Sequence, residues 1–210
     1  MPKISIAVFV SGGGTNLQTI IDHIEKDNID GEIKIILSSK ENAYALERGK
    51  KHGIEGCYIG KKNYPDLKER SRKITEILKE KKIDLIVLAG FMSILDKEIV
   101  QMYKNRIINV HPSLIPSFCG KGYYGEKVHE AVLSYGVKVT GATVHFVDEG
   151  TDTGPVILQK AVQVKADDTV ASLSKRVLAV EHEILPLAVE LFCEGKLEVI
   201  GRRVTLENEI

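Results

Sequence analysis

Ile4-Ser5-Ile6-Ala7-Val8-Phe9-Val10-Ser11-Gly12-Gly13-Gly14-Thr15-Asn16-Leu17 is the stretch that decides the fold. Its opening, Ile4 to Val10, is an apolar run broken only by Ser5. Such a run suits a strand buried on both faces, which is the setting of a parallel sheet. Ser11 to Gly14 end it, because glycines admit a sharp turn. From about Thr15 the residues Leu17, Ile20, Ile21 and Ile24 recur at helical spacing. Strand, glycine turn and amphipathic helix in succession read as the start of an α/β unit.

The same alternation continues outward. Ile33 to Leu37 predicts a second strand, and Asn42 to His52 a helix that Gly53 can terminate. A short strand follows near Cys57 to Ile59, then a helix from about Pro65, a residue suited to a first turn. Ile83 to Ala89 and Arg106 to Val110 are further strands. The pattern then changes. Val137 to Val147 reads as a longer strand, Pro155 to Val164 as its antiparallel partner, and Thr169 to Cys193 as a long helix stopped by Gly195. Short strands near Leu197 to Ile200 and Arg203 to Leu206 finish the chain. The expectation is an α/β fold: a doubly wound, mostly parallel sheet N-terminally, with antiparallel strands added C-terminally. No repeat or linker interrupts it, so residues 1–210 read as one domain.

Composition narrows the function. Of 210 residues, 43% are hydrophobic, enough for a sizeable core, and 28% are charged, as in a soluble globular chain. Formal net charge is zero, with Lys and Glu interleaved, which argues against a nucleic-acid partner. The densest basic stretch, Lys79 to Lys82, fits the C-terminal end of a helix. The cysteines, Cys57, Cys119 and Cys193, are scattered, so neither a disulfide framework nor a zinc site is expected. No signal peptide or long apolar run is evident, and the expected setting is cytoplasmic, with no membrane partner.

The chemistry begins at the glycine loop. Amides at a helix N-terminus favour an anion, so Gly13, Gly14, Thr15 and Asn16 are candidate phosphate ligands. The Walker pattern is absent, and Leu17 stands where the dinucleotide fingerprint needs its last glycine. A single phosphate monoester fits better. The plainer alternative is a tight turn capped by Thr15 or Asn16.

Asn109 and His111, two apart on a strand end, share a face. The carboxyl ends of strands in open α/β sheets are where ligands bind. An amide there can hold a developing oxyanion, and an imidazole can carry a proton. The loop after the Val137 strand offers three acids to support His111, namely Asp148, Glu149 and Asp152, and spacing does not choose among them. A His/Cys pair through Cys119 is conceivable, but no cationic neighbour is evident to activate that thiol. The histidine spacings suggest no metal motif, and Ser113 lacks a nucleophile elbow.

Taken together, Ser11-Gly-Gly-Gly-Thr-Asn-Leu17, Leu88-Ala-Gly-Phe-Met92, Asn109-Val-His-Pro-Ser-Leu-Ile-Pro116, Thr143-Val-His-Phe-Val147 and Asp152-Thr-Gly-Pro-Val-Ile-Leu-Gln159 resemble the glycinamide ribonucleotide transformylase family. These are the folate-dependent formyltransferases of purine synthesis. The resemblance runs over nearly the whole chain. It implies transfer of a formyl group from 10-formyltetrahydrofolate, as co-substrate and without a metal, to the amine of 5-phosphoribosylglycinamide. It implies Asn109, His111 and Asp152 as catalytic residues, and Gly13, Gly14, Thr15, Asn16 and Glu181 as contacts of the ribonucleotide. Met92, Ser93, Ile94, Leu95 and Asn109 match the folate segment, and His145 a supporting position.

The sequence departs from the family pattern at Ser93, where some relatives carry a basic residue, and over Phe118 to Tyr124. The family's basic folate contact falls on Lys68 or Arg70. The expected assembly is a monomer or homodimer acting on small molecules. The alternatives are a formyltetrahydrofolate hydrolase and a non-catalytic folate or nucleotide binder.

Overall fold

The computed structural model of the chain describes residues 2–206. Their contacts divide into two units, Met1–Ile108 and Asn109–Ile210.

In the first unit the opening apolar run is strand β1 (Ile4–Val10), and Ile6 to Val10 are wholly buried. β1 has parallel neighbours on both sides, which explains why no polar alternation marks it. Helix α1 (Thr15–Glu25) leads to β2 (Gly31–Ser38), which pairs with β1 along its length. Helix α2 (Tyr44–Lys51) then leads to β3 (Gly56–Tyr58), and α3 (Leu67–Glu80) to β4 (Leu85–Leu88) on the other side of β1. The short helix α4 (Lys97–Met102) precedes β5 (Ile107–His111), and the order across this unit is β3-β2-β1-β4-β5. Strand β5 starts in the first unit and ends in the second.

Three local expectations shift. Gly14, in the left-handed region at φ 72°, is the N-cap of α1, and neither Thr15 nor Asn16 caps it with a side chain. Helix α2 begins at Tyr44 instead of Asn42, because the Ala43 amide bonds to the Lys40 carbonyl in a turn. Pro65 lies outside the first turn of α3, whose cap is Asp66 accepting from the Glu69 amide. Gly53, at φ 70°, follows α2 as expected.

In the second unit, β5 is followed by helix α5 (Glu126–Tyr135) and strand β6 (Val139–Phe146). Strand β7 (Val156–Gln163) pairs antiparallel with β6, as the sequence predicts. The long helix α6 (Val170–Cys193) opens on a reciprocal capping box between Thr169 and Ser172 and packs on β6, β7 and α5. Strands β8 (Leu197–Ile200) and β9 (Arg203–Leu206) form an antiparallel pair, with β9 parallel to β7. The order here is β5-β6-β7-β9-β8.

Helices α4 and α5 escape the sequence reading. Helix α4 buries only Ile99 and Val100, too little for a periodic signal. Helix α5 follows a stretch broken by Gly120, Gly122 and Gly125, and its buried face interleaves His129 with Val128 and Val132. Among the described residues, no helix is long and apolar enough to cross a membrane.

Candidate active site

In the first unit the glycine loop is gripped from α2. The Ala45 amide donates to the Gly12 carbonyl at 3.1 Å, and Arg48 Nε donates to the Gly13 carbonyl at 2.7 Å. Gly14 has no room for a side chain, since a Cβ there would lie 2.6 Å from Ala45 Cβ. The Gly14 carbonyl accepts the first helical bond of α1, from Gln18. No acid stands in the first turn of α1 to neutralise its amide end. The loop borders a cleft of about 600 Å³ whose wall includes Ser11, Gly12, Gly13, Lys40 and Tyr58.

The segment Met92 to Leu95 lies in the same unit. Gly90, at φ 72°, turns the chain out of β4. The Met92 amide then donates to Ser11 Oγ at 2.7 Å, and Ser11 Oγ is 2.6 Å from Ser39 Oγ. Phe91 packs edge-on against Phe9, which leaves Met92 and Ile94 facing outward at 51% and 83% exposure. Ser93 and Leu95 are half-buried. Apolar side chains held out of the core in this way offer a surface for a flat aromatic ring. Of the two basic candidates on α3, Arg70 is buried and Lys68 exposed.

The second unit gathers Asn109, His111, His145 and Asp152. His145 is almost wholly buried on β6, and its Nδ1 lies 2.8 Å from the Phe146 carbonyl. A carbonyl only accepts, so Nδ1 carries a proton. Burial pushes the His145 pKa down, which favours the neutral ring. Its Nε2 is then an acceptor, and the group 3.1 Å away is Asn109 Nδ2, donating. The tautomer of His145 therefore fixes which way the Asn109 amide faces.

His111 is also buried, and its Nε2 donates to the Phe118 carbonyl at 2.9 Å. Its Nδ1 faces Asp152 Oδ2 at 3.6 Å, while Asp152 Oδ1 is 3.8 Å from His145 Nε2. Both separations exceed a hydrogen bond. Asp152 Oδ2 accepts one from the Gly120 amide at 2.9 Å. Of the three acids, Asp152 is thus the one facing both rings. Asp148 accepts from the Gly150 amide and Thr153 Oγ1 within its own loop, and Glu149 is exposed. Asp152 sits in the left-handed region at φ 57°, and a Cβ on nearby Gly154 would stand 1.8 Å from the Phe146 carbonyl oxygen.

Supporting contacts steady the exit loop after β5. Thr143 Oγ1 donates to the Ser113 carbonyl and accepts from the Ile115 amide, and Gln159 Nε2 reaches both the Ile115 carbonyl and Thr143. Cys119 donates its thiol to the Pro116 carbonyl at 3.3 Å. Burial and then the Asp152 charge push its pKa up, the reverse of what an activated thiolate needs. On α6, Glu181 is buried, as is the Nε2 atom of the adjacent His182.

A family model described as formyl transferase matches residues 4–189. The chain belongs to the formyl transferase family. The chain is 37% identical to the phosphoribosylglycinamide formyltransferase of Haemophilus influenzae, over 97% of its own length and 94% of that protein. It is 43% identical to the human trifunctional purine biosynthetic protein adenosine-3 over 94% of its own chain, and it spans 19% of that longer protein. The solved structure of glycinamide ribonucleotide transformylase 1 from Symbiobacterium toebii superposes with a TM-score of 0.91 at 41% identity, covering 97% of this chain and 94% of that one.

Two members of the candidate site were invisible to sequence reasoning, because they act through the main chain. They are the Phe118 carbonyl and the Gly120 amide. The signal available was the positional one, Gly120 and Gly122 in the loop that departs from the family pattern; the structure adds a left-handed Phe118.

Proposed function

We propose that this chain transfers the formyl group of 10-formyltetrahydrofolate to the amine of 5-phosphoribosylglycinamide, giving the N-formyl product and tetrahydrofolate. The observation that carries the reading is the oriented amide of Asn109 beside the His111–Asp152 pair. The near-full-length likeness to proteins named for this reaction supports it.

The roles follow from the geometry. One hydrogen of Asn109 Nδ2 is engaged by His145, which leaves the second for the oxygen of the formyl group as it gains charge. The neutral amine attacks the formyl carbon. His111 Nε2–H is held by Phe118, so Nδ1 is the ring atom that exchanges a proton with the reacting centre, next to Asp152. Asp152, beside that ring, relays the proton lost by the amine towards the departing folate nitrogen. The tetrahedral adduct formed by the attack then collapses, breaking the carbon–nitrogen bond to folate as its nitrogen takes the proton, and no covalent bond to the enzyme is needed. The outward Met92 and Ile94 suit the ring system of the folate, and the amides from Gly13 to Asn16 suit the phosphate of the ribonucleotide. Glu181 serves the same substrate. Residues 1–210 act as one catalytic domain in the cytoplasm, as a monomer or homodimer.

The test is to mix the purified chain with both substrates and follow deformylated folate and formylated ribonucleotide together. Equal formation of both, dependent on the amine, supports the transferase. Folate deformylation at the same rate without the amine replaces it with the hydrolase, and binding without either product with a non-catalytic binder.

A further inference from the structure

We propose that Arg48 is a positioning residue for the phosphate-bearing substrate, locking the glycine loop with its amides turned outward. This deepens the proposed function and rests on its reading of that loop.

A trans peptide is planar, so its carbonyl and the next residue's N–H point in opposite directions. The Gly12 carbonyl is drawn towards α2 by the Ala45 amide, and the Gly13 carbonyl by Arg48 Nε. The amides of Gly13 and Gly14 therefore point away from α2. The Gly14 carbonyl accepts from Gln18 inside α1, so the Thr15 amide points out of the helix end. Three successive amides are thereby set to converge on one anion. Of the contacts that set them, the Ala45 bond is main chain and Gly14 packs as a bare backbone. Arg48 alone contributes a side chain.

Arg48 is itself held. Nη1 donates to Gln18 Oε1 at 3.1 Å, and the guanidinium lies over the Tyr44 ring at 5.1 Å. The Gln18 amide cannot turn over, because its Nε2 donates to Asp22 Oδ1 at 2.9 Å and lies 3.1 Å from His52 Nε2. His52 Nδ1 in turn lies 2.6 Å from Glu25 Oε1. A carboxylate accepts only, so the His52 proton is on Nδ1 and its Nε2 receives from Gln18. From Arg48 through Gln18 and His52 every bond is donated towards Glu25, while Arg48 Nε donates the other way, to the Gly13 carbonyl.

The test uses the full chain with Arg48→Met, which keeps the stem on Tyr44, and Arg48→Lys, which keeps the charge but has one nitrogen for two acceptors. Ribose 5-phosphate is titrated while the Gly13, Gly14 and Thr15 amide resonances are followed, and steady-state constants are taken for both substrates. Arg48→Met is expected to weaken ribose 5-phosphate binding and raise the ribonucleotide KM about tenfold, the loss of one charge-assisted bond, with kcat and folate KM held within about twofold. Arg48→Lys should fall between Arg48→Met and wild type. Wild-type phosphate affinity in both variants, or kcat and folate KM moving in step with the ribonucleotide KM, overturns the role. If ribose 5-phosphate leaves those amides unmoved in the wild-type chain, the phosphate loop and the Arg48 role fall together. If they move but no formyl transfer occurs, the Arg48 role stands and the reaction alone falls.

Discussion

The glycine loop and the Asn109–Asp152 cluster are built from opposite materials. From Gly12 to Thr15 the chemistry offered is main-chain amide, and a side chain serves to hold the backbone, as Arg48 does with Gln18 behind it. Around Asn109 the chemistry offered is side chain, and the main chain does the holding, through the carbonyls of Phe146 and Phe118 and the amide of Gly120. A site made of backbone is indifferent to most side-chain identities but intolerant of an added Cβ. A site made of side chains has the reverse sensitivity, and the comparison is open to direct attack.

The largest effect is expected from removing a side chain in the second unit. Asn109→Ala and Asp152→Asn should each lower formyl transfer by roughly 10²- to 10⁴-fold, read as kcat at saturating substrates. Near-normal turnover in either purified variant would take that residue out of the mechanism. The matching attack on the first unit is Gly14→Ala. Its Cβ meets Ala45 and its φ of 72° disfavours any side chain, at about 1–2 kcal/mol. That should appear in chemical unfolding and as a raised ribonucleotide KM, with folate KM little changed. An unchanged ribonucleotide KM would show that the loop is only a turn.

A pH experiment separates the units next. Burial lowers the pKa of His145, and also those of His129 and His182, all in the second unit. Such a group binds its proton more readily when unfolded. Its contribution is complete above the unfolded value of about 6.5 and is lost as pH falls below it, at up to about 1.4 kcal/mol per pH unit for the buried His145 and less for the partly solvated His129 and His182. Unfolding free energy measured from pH 7.5 to 5 should therefore decline, and His145→Phe should flatten the slope. An identical slope in that variant would mean that His145 does not set it. The smallest effect is expected at Cys119, whose thiol only donates to the Pro116 carbonyl. Cys119→Ser should keep activity within about twofold, whereas loss of a nucleophile would cost orders of magnitude.

Sequence legibility followed the same division. The run from Ile4 to Val10 could be read because burial on both faces leaves it continuously apolar, and the helix face of Leu17, Ile20 and Ile21 because burial on one side imposes a period. The pairing of Val137–Val147 with Pro155–Val164 could be read from a long apolar strand followed by an alternating one, trimmed by the structure to β6 and β7. Asn109 and His111 declared themselves as polar groups at the end of an apolar strand. What stayed hidden had no residue-type signature. Phe118 enters through its carbonyl, Gly14 caps α1 through its conformation, and helices α4 and α5 are too short or too interrupted to show a face. Spacing did not choose among Asp148, Glu149 and Asp152, and only the family resemblance pointed to Asp152; the physical reason lies in the folded loop, which consumes Asp148 internally and turns Asp152 inward.

The bond from Asn109 to His145 carries a further meaning. It works as a grammatical agreement: the carbonyl of Phe146 dictates the form of the ring, and the ring dictates the form of the residue opposite. Aspartate has nearly the same outline as asparagine, yet at position 109 it would break that agreement twice. It would set a lone pair against the lone pair of His145 Nε2, and in the proposed reaction it would turn an anion towards an oxygen that gains negative charge. To shape alone the two residues are synonyms; at this position the fold reads them as opposites.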